Sequence, residues 1–150
     1  MELHPTASKV QERLRERGLD VEVQVLADST RTAAEAADAV GCELGQIVKS
    51  LVFERDGDVV MCLCAGDRTV DTTRLALARA DAERVRAATG FSIGGIPPLG
   101  HDRELPTLVD VSLRRFETVW CAAGTPHAVF CVRTEDLLRA LPDAELAELG

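Results

Sequence analysis

A chain of 150 residues, 46% hydrophobic and 28% charged, has the length and balance of one soluble globular domain with its own core. Its net charge of −8 argues against broad, non-specific nucleic-acid binding, which depends on neutralising phosphates, but leaves room for a local basic face. No apolar run approaches the ~18 residues that span a bilayer, Met1-Glu2-Leu3-His4-Pro5 lacks the pattern of a secretory leader, and five cysteines without a Cys-x-x-Cys pair suit a reducing cytoplasm.

Residues ~6–17 read as an amphipathic helix with Val10 and Leu14 on its apolar side and Gly18 just past its end. Lys9, Arg13 and Arg17, spaced four apart, would form one basic stripe on it, either a solvated face or a docking surface. Arg114-Arg115 is a second small basic site. Val21, Val23 and Val25 alternate with Glu22 and Gln24, the pattern of a half-buried strand. Thr32-Ala33-Ala34-Glu35 has capping-box spacing and opens an alanine-rich helix ending near Gly41. A hairpin comes next: Ile47 to Arg55 and Asp58 to Ala65 flank Asp56-Gly57, a dipeptide suited to a type I′ turn. Cys62 and Cys64 alternate on its second strand and so share a side, as buried free thiols.

Asp71 to Ala88, rich in Ala, Leu and Arg, reads as one or two helices. Then Gly90 to His101 packs four glycines, two adjacent prolines and a histidine into one connection. Gly94 and Gly95 permit close backbone approach, and Pro97-Pro98 stiffen the second half of the loop. Such a loop can hold a fixed row of N–H donors, or it can be only a tight connection between core elements. Thr107 to Val111, Val119 to Ala122 and Ala128 to Val132 read as short strands, residues ~135–141 as a helix, and Pro142 as the start of another. No internal repeat or linker divides the chain. The mixture lacks regular βαβ alternation, so the expected fold is one α+β domain over residues 1–150, with a mixed, barrel-like sheet core and surrounding helices.

Several residues are candidates for chemistry. Lys49 opens an otherwise apolar strand and shares a face with Leu51 and Phe53. A lysine there either snorkels to solvent or meets an anion or acceptor. His101 comes just after the glycine–proline loop and His127 sits in the turn Ala123-Gly124-Thr125-Pro126-His127; either is a candidate general base, though exposed loop histidines are more often bystanders. Asp110 ends an apolar strand, where a carboxylate orients a loop or faces a pocket. The chain carries no Gly-x-Ser-x-Gly elbow, P-loop, His-Glu-x-x-His zinc motif or dinucleotide fingerprint. With four Phe, one Trp and no Tyr, aromatic base-stacking platforms are not expected.

Four motifs, in order and at fitting spacing, resemble the YbaK/prolyl-tRNA synthetase-associated domain family, whose members hydrolyse mischarged aminoacyl-tRNA. They are Gly45 to Phe53, Thr89 to His101, Leu105 to Asp110, and Ala122-Ala123-Gly124. The resemblance spans about residues 20–141. It implies that Lys49 is the key active-site lysine and that Gly94 to Pro98, as the family's Gly-x-x-x-Pro loop, binds the aminoacylated 3′ end. It also implies that the Gly124 turn borders the same pocket and that Thr32 lies near the amino-acid side chain; His127 has no fixed counterpart in the family and is a candidate for setting subfamily specificity.

The expected catalytic set is Lys49, Gly94 and Gly95, and the expected substrate-binding set is Thr32, Ile96, Pro97, Pro98, His101, Asp110, Gly124 and His127. No metal or cofactor is expected. The Lys9, Arg13 and Arg17 stripe is the expected tRNA-docking surface. The expected partners are the acceptor end of aminoacyl-tRNA and, as a candidate, prolyl-tRNA synthetase, with no DNA and no membrane. The implied activity is a cytoplasmic trans-editing deacylase cleaving a small wrong amino acid from proline tRNA. The alternatives are a non-catalytic nucleotide- or aminoacyl-tRNA-binding module and a hydrolase of small esters.

Overall fold

The computed structural model describes residues 3–150; Met1 and Glu2, at the start of the amino-terminal stretch that lacks a leader pattern, lie outside the described residues. Helix α1 (Pro5–Glu16) starts with proline at its first turn and with the His4 imidazole accepting the Thr6 N–H at 3.1 Å. Its Ala7, Val10 and Leu14 are fully buried. Helix α2 (Ala33–Val40) has the expected capping box, with the Thr32 hydroxyl accepting the Glu35 N–H at 3.1 Å and the Glu35 carboxylate accepting the Thr32 N–H at 3.1 Å. It ends at Gly41 in the left-handed region.

The valine alternation before α2 forms less strand than expected. Only β1 (Gln24–Val25) pairs, with Val129 and Ala128. The reason is Gln11. Its side-chain carbonyl accepts the Val23 N–H at 2.8 Å and its NH2 donates to the Val21 carbonyl, so a carboxamide from α1 replaces a neighbouring strand.

The hairpin forms as expected. β2 (Val48–Arg55) and β3 (Asp58–Ala65) pair antiparallel from Val48↔Ala65 to Arg55↔Asp58, with Asp56 and Gly57 at φ 53 and 83. β3 is buried on both faces. Met61, Leu63 and Ala65 join the main core with Leu14, Phe91 and Phe130, while Val60, Cys62 and Cys64 form a second cluster with Leu108 and Leu149.

The segment expected to be helical from Asp71 is not. Residues 72–76 turn, Ala76 is left-handed at φ 55, and β4 (Ala78–Arg79) pairs with Phe53 and Glu54 at the far end of β2. Helix α3 (Ala82–Thr89) starts only where the Asp81 carboxylate accepts the Arg84 N–H at 2.8 Å. β5 (Thr107–Asp110) runs parallel to β3. β6 (Thr118–Ala122) and β7 (Ala128–Arg133) pair antiparallel, and α4 (Thr134–Arg139) comes after them. Pro142 does not begin a helix: the chain turns and returns as β8 (Glu145–Ala147), which covers the otherwise open edge of β5.

The result is the expected α+β fold, its strands divided between two sheets. A five-stranded mixed sheet, β4-β2-β3-β5-β8, faces a three-stranded antiparallel sheet, β1-β7-β6. A parallel bridge between Ile47 and Trp120 links them. No helix among the described residues is long and apolar enough to cross a membrane.

Candidate active site

β4 reaches β2 only at Phe53 and Glu54, so Val48 to Leu51 present an edge without a strand partner on that side. A cavity of about 310 Å³ runs along this edge. Its walls are Thr30 to Ala33 and Ala36 at the head of α2, Ile47 to Leu51, Trp120 to Ala122 on β6, and Ile93, Gly94 and Ile96 of the glycine–proline loop. Lys49 and the loop, 45 residues apart in sequence from Lys49 to Gly94, therefore line one space.

The loop is held by backbone. The Gly95 N–H donates to the Ser92 carbonyl at 3.1 Å, and the Gly124 N–H donates to the Gly95 carbonyl at 2.7 Å. A Cβ on Gly95 would stand 2.9 Å from the Gly124 carbonyl carbon and oxygen, so the two glycine turns touch main chain to main chain. Gly124, left-handed at φ 99, rests in turn on Thr6 and Val10 of α1. The Gly94 N–H has no acceptor among the described residues. Of the two expected glycine donors, only Gly94 is thus free; the Gly95 amide is already used.

Lys49 sits half-buried with its ammonium donating to the Arg68 carbonyl, on the strand face it shares with Cys64. Burial pushes the Cys64 thiol up to about 11, against the lowering effect of the Lys49 charge. Beside Lys49, the Ser50 hydroxyl is buried without a hydrogen-bond partner. Among the described residues, the two charged side chains on the cavity wall are both cations, Arg31 and Lys49, and no carboxylate or imidazole lines it, in a chain of net charge −8. Cys121 is there too, its pKa driven upward by complete burial, which leaves it a neutral thiol.

The structure brings together Lys49, Thr32, Gly94 and Ile96 from the expected set, with Gly95 and Gly124 immediately behind. It places others elsewhere. His101 and Pro98 line a separate cavity of about 270 Å³ with Arg17 and Arg103. There the His101 Nε2–H donates to the Pro97 carbonyl at 2.7 Å, and burial holds the imidazole below its ordinary pKa, helped by Arg17 and Arg13. His101 and Pro97 are therefore braces of the loop. Asp110 is buried, accepting the Ser112 hydroxyl at 2.8 Å and its N–H at 3.3 Å, close to Cys64; it caps a turn and does not reach the cavity. His127 is exposed on a supporting turn: its carbonyl accepts from Leu26, and the preceding Pro126 carbonyl accepts the Thr30 hydroxyl at 2.9 Å.

The basic stripe is also engaged. Lys9 and Arg13 pair with Asp102 at 3.6 and 2.9 Å, and Arg17 pairs with Glu104 at 2.9 Å. Arg13 further donates to the Gly100 carbonyl at 2.7 Å. These side chains clamp the end of the loop onto α1, and two carboxylates offset their charge. Arg115 is likewise bound to Asp67 through both of its terminal nitrogens. Arg31, Ser50, Ile93 and Trp120 line the cavity without having been singled out from sequence. Ser50 had a signal, as a polar residue in an apolar strand; Arg31, a charge in a polar connection, had none.

An α+β domain with a cationic cavity between a strand edge and a glycine–proline loop is the class that fold and site define. The model of the aminoacyl-tRNA editing domain matches residues 27–140, and the chain belongs to that family. It is 32% identical over 116 residues to YwhH of Bacillus subtilis, covering 73% of this chain and 74% of that protein. It is 26% identical over 127 residues to EbsC of Enterococcus faecalis, provisionally named a Cys-tRNA(Pro)/Cys-tRNA(Cys) deacylase, covering 79% of this chain and 76% of that one. A crystal structure described provisionally as a trans-editing enzyme for prolyl-tRNA synthetase superposes with a TM-score of 0.91 at 44% identity, over 99% of this chain and 98% of that chain. Proline–tRNA ligase of Moorella thermoacetica is 32% identical over 101 residues, which are 58% of this chain but only 18% of the ligase.

Proposed function

We propose that the protein is an aminoacyl-tRNA deacylase that removes a small wrong amino acid from proline tRNA by cleaving the 3′-terminal ester. The observation that carries the reading is that Lys49 and Gly94, whose amide is free, line one cavity that holds cations and, among the described residues, no carboxylate. Water attacks the carbonyl, the ester C–O bond breaks, and the products are the free amino acid and a tRNA with its ribose hydroxyl restored. The Gly94 N–H stabilises the oxyanion; one such donor is worth about 3–4 kcal/mol in other enzymes. Lys49, whose ammonium already donates to the Arg68 carbonyl, orients the ribose and ester. With no imidazole or carboxylate on the wall among the described residues, the proton acceptor is a group of the substrate, such as the neighbouring ribose hydroxyl.

Ala33, Ala36, Ile47 and Trp120 are among the apolar residues of the wall, which supports an aliphatic side chain. The kinship with proline–tRNA ligases and with the trans-editing structure supports the choice of tRNA, and makes prolyl-tRNA synthetase a candidate partner. The test is release of amino acid from a panel of correctly and wrongly charged tRNAs: turnover confined to a small amino acid on proline tRNA is expected. A second reading, a module that binds without turnover, draws on the same lack of an acid–base side chain. Binding without release would select it, and release from small esters alone would select a general esterase.

A further inference from the structure

The two cations on the cavity wall are in different states. The Lys49 ammonium is already donating to the Arg68 carbonyl. Arg31 is exposed, and its guanidinium has no ion pair or hydrogen bond among the described residues. Around the loop, Lys9 and Arg13 are engaged on Asp102, Arg17 on Glu104, and Arg86 on the Ser92 hydroxyl, while Arg103 lines the other cavity.

The Arg31 stem approaches the loop closely at Gly94. A Cβ on Gly94 would stand 2.7 Å from Arg31 Cγ and 3.4 Å from its Nε. The arginine stem thus lies against Gly94, a loop residue whose amide has no acceptor among the described residues, and among those residues no carboxylate of the wall competes for its charge. A planar guanidinium so placed suits two-pronged binding of a phosphate. In an aminoacyl-tRNA the amino acid's carboxylate is esterified and carries no charge. The anion nearest the scissile ester is the phosphodiester on the 5′ side of the terminal adenosine.

We propose that Arg31 binds this phosphodiester, and so sets how deep the acceptor end enters, while Lys49 is left to the ribose and ester. The assignment rests on the deacylase reading. Arg31→Ala raises KM for charged tRNA about ten-fold with kcat near wild type, and flattens the log–log salt dependence by about 0.7–1. KM for an aminoacyl-adenosine, which has no phosphate, stays unchanged. Arg31→Lys keeps the charge and recovers part of the loss. An unchanged KM and salt slope in Arg31→Ala, or an equal loss on the phosphate-free substrate, overturns the assignment.

An uncharged CCA trinucleotide separates this inference from the reading beneath it. Trp120 lines the cavity and is the lone tryptophan of a chain without tyrosine, so its fluorescence reports binding without turnover. If the wild type releases no amino acid from any tRNA, the deacylase reading fails, yet the titration still decides the phosphate contact. Affinity about ten-fold weaker in Arg31→Ala supports it. Equal affinity, or no binding by the wild type, overturns it.

Discussion

Gly95→Ala tests the contact that holds the loop. Gly95 lies outside the left-handed region, so alanine brings no conformational penalty of its own there. Its Cβ would instead stand 2.9 Å from the Gly124 carbonyl carbon and oxygen and 3.0 Å from Thr125 Cα. Carbon pairs settle at about 3.5–4.0 Å, and every atom met is backbone, which cannot rotate away. Forced overpacking costs about 1–3 kcal/mol, and stretching the 2.7 Å bond from the Gly124 N–H to the Gly95 carbonyl adds about 1 kcal/mol. The expected loss is about 3 kcal/mol, a melting temperature lower by roughly 6–12 °C. Because relief requires the Gly94–Ile96 segment to move off the cavity, kcat/KM for charged tRNA falls as well, by at least about ten-fold. Circular-dichroism melts and a deacylation assay read both quantities. The control is Gly18→Ala, at φ 84 with nothing within 4 Å, which incurs only the left-handed cost of about 1–2 kcal/mol and leaves activity per folded molecule intact. Wild-type stability and activity in Gly95→Ala would refute the backbone-contact account of the loop.

Three further outcomes are expected. Gln11→Ala strips the Val23 N–H and the Val21 carbonyl of their partner, lowering stability by about 2–4 kcal/mol in urea melts; a change below about 0.5 kcal/mol would show that water replaces the carboxamide. Ser50→Ala removes a buried hydroxyl that has no partner, so its urea midpoint stays at or above wild type; a loss above about 1 kcal/mol would reveal a bond this structure does not contain. His101 is held below its ordinary pKa, chiefly by burial, so the unfolded chain binds this proton first as pH falls. That contribution is complete above about pH 6.5 and is lost as pH drops toward the lower folded value. The denaturation midpoint therefore falls from pH 7 to pH 5, and the fall is smaller in His101→Gln; equal slopes in the two proteins would contradict this.

Local chemistry was legible wherever neighbours in sequence settle it. The Thr32–Glu35 box, the Asp56-Gly57 turn and the shared side of Cys62 and Cys64 need only their own segments, and each stands as expected. Lys49 and the Gly94 loop were legible as parts, through their conflict with their surroundings and through the family resemblance. What the sequence withheld depends on distant partners. A carboxamide on α1 takes the hydrogen bonds of residues 21–23, and left-handed Ala76 and the edge of β2 divert the alanine-rich stretch from helix. Of the residues near the loop in sequence, His101 braces the loop from behind and Asp110 caps another turn, because a chain that folds back puts neighbours of a site behind its wall. Arg31 could be found only by asking which cations lack an anion, a question that needs coordinates.

The most direct measurement is kcat/KM of Lys49→Ala on a mischarged proline tRNA that the wild type deacylates, taken beside a thermal melt. Lys49 is half-buried and its ammonium meets only a carbonyl, so the variant keeps its fold. A loss of at least about 100-fold with an unchanged melt is the expected result; wild-type turnover by the folded variant would contradict the assignment of the chemistry to this cavity.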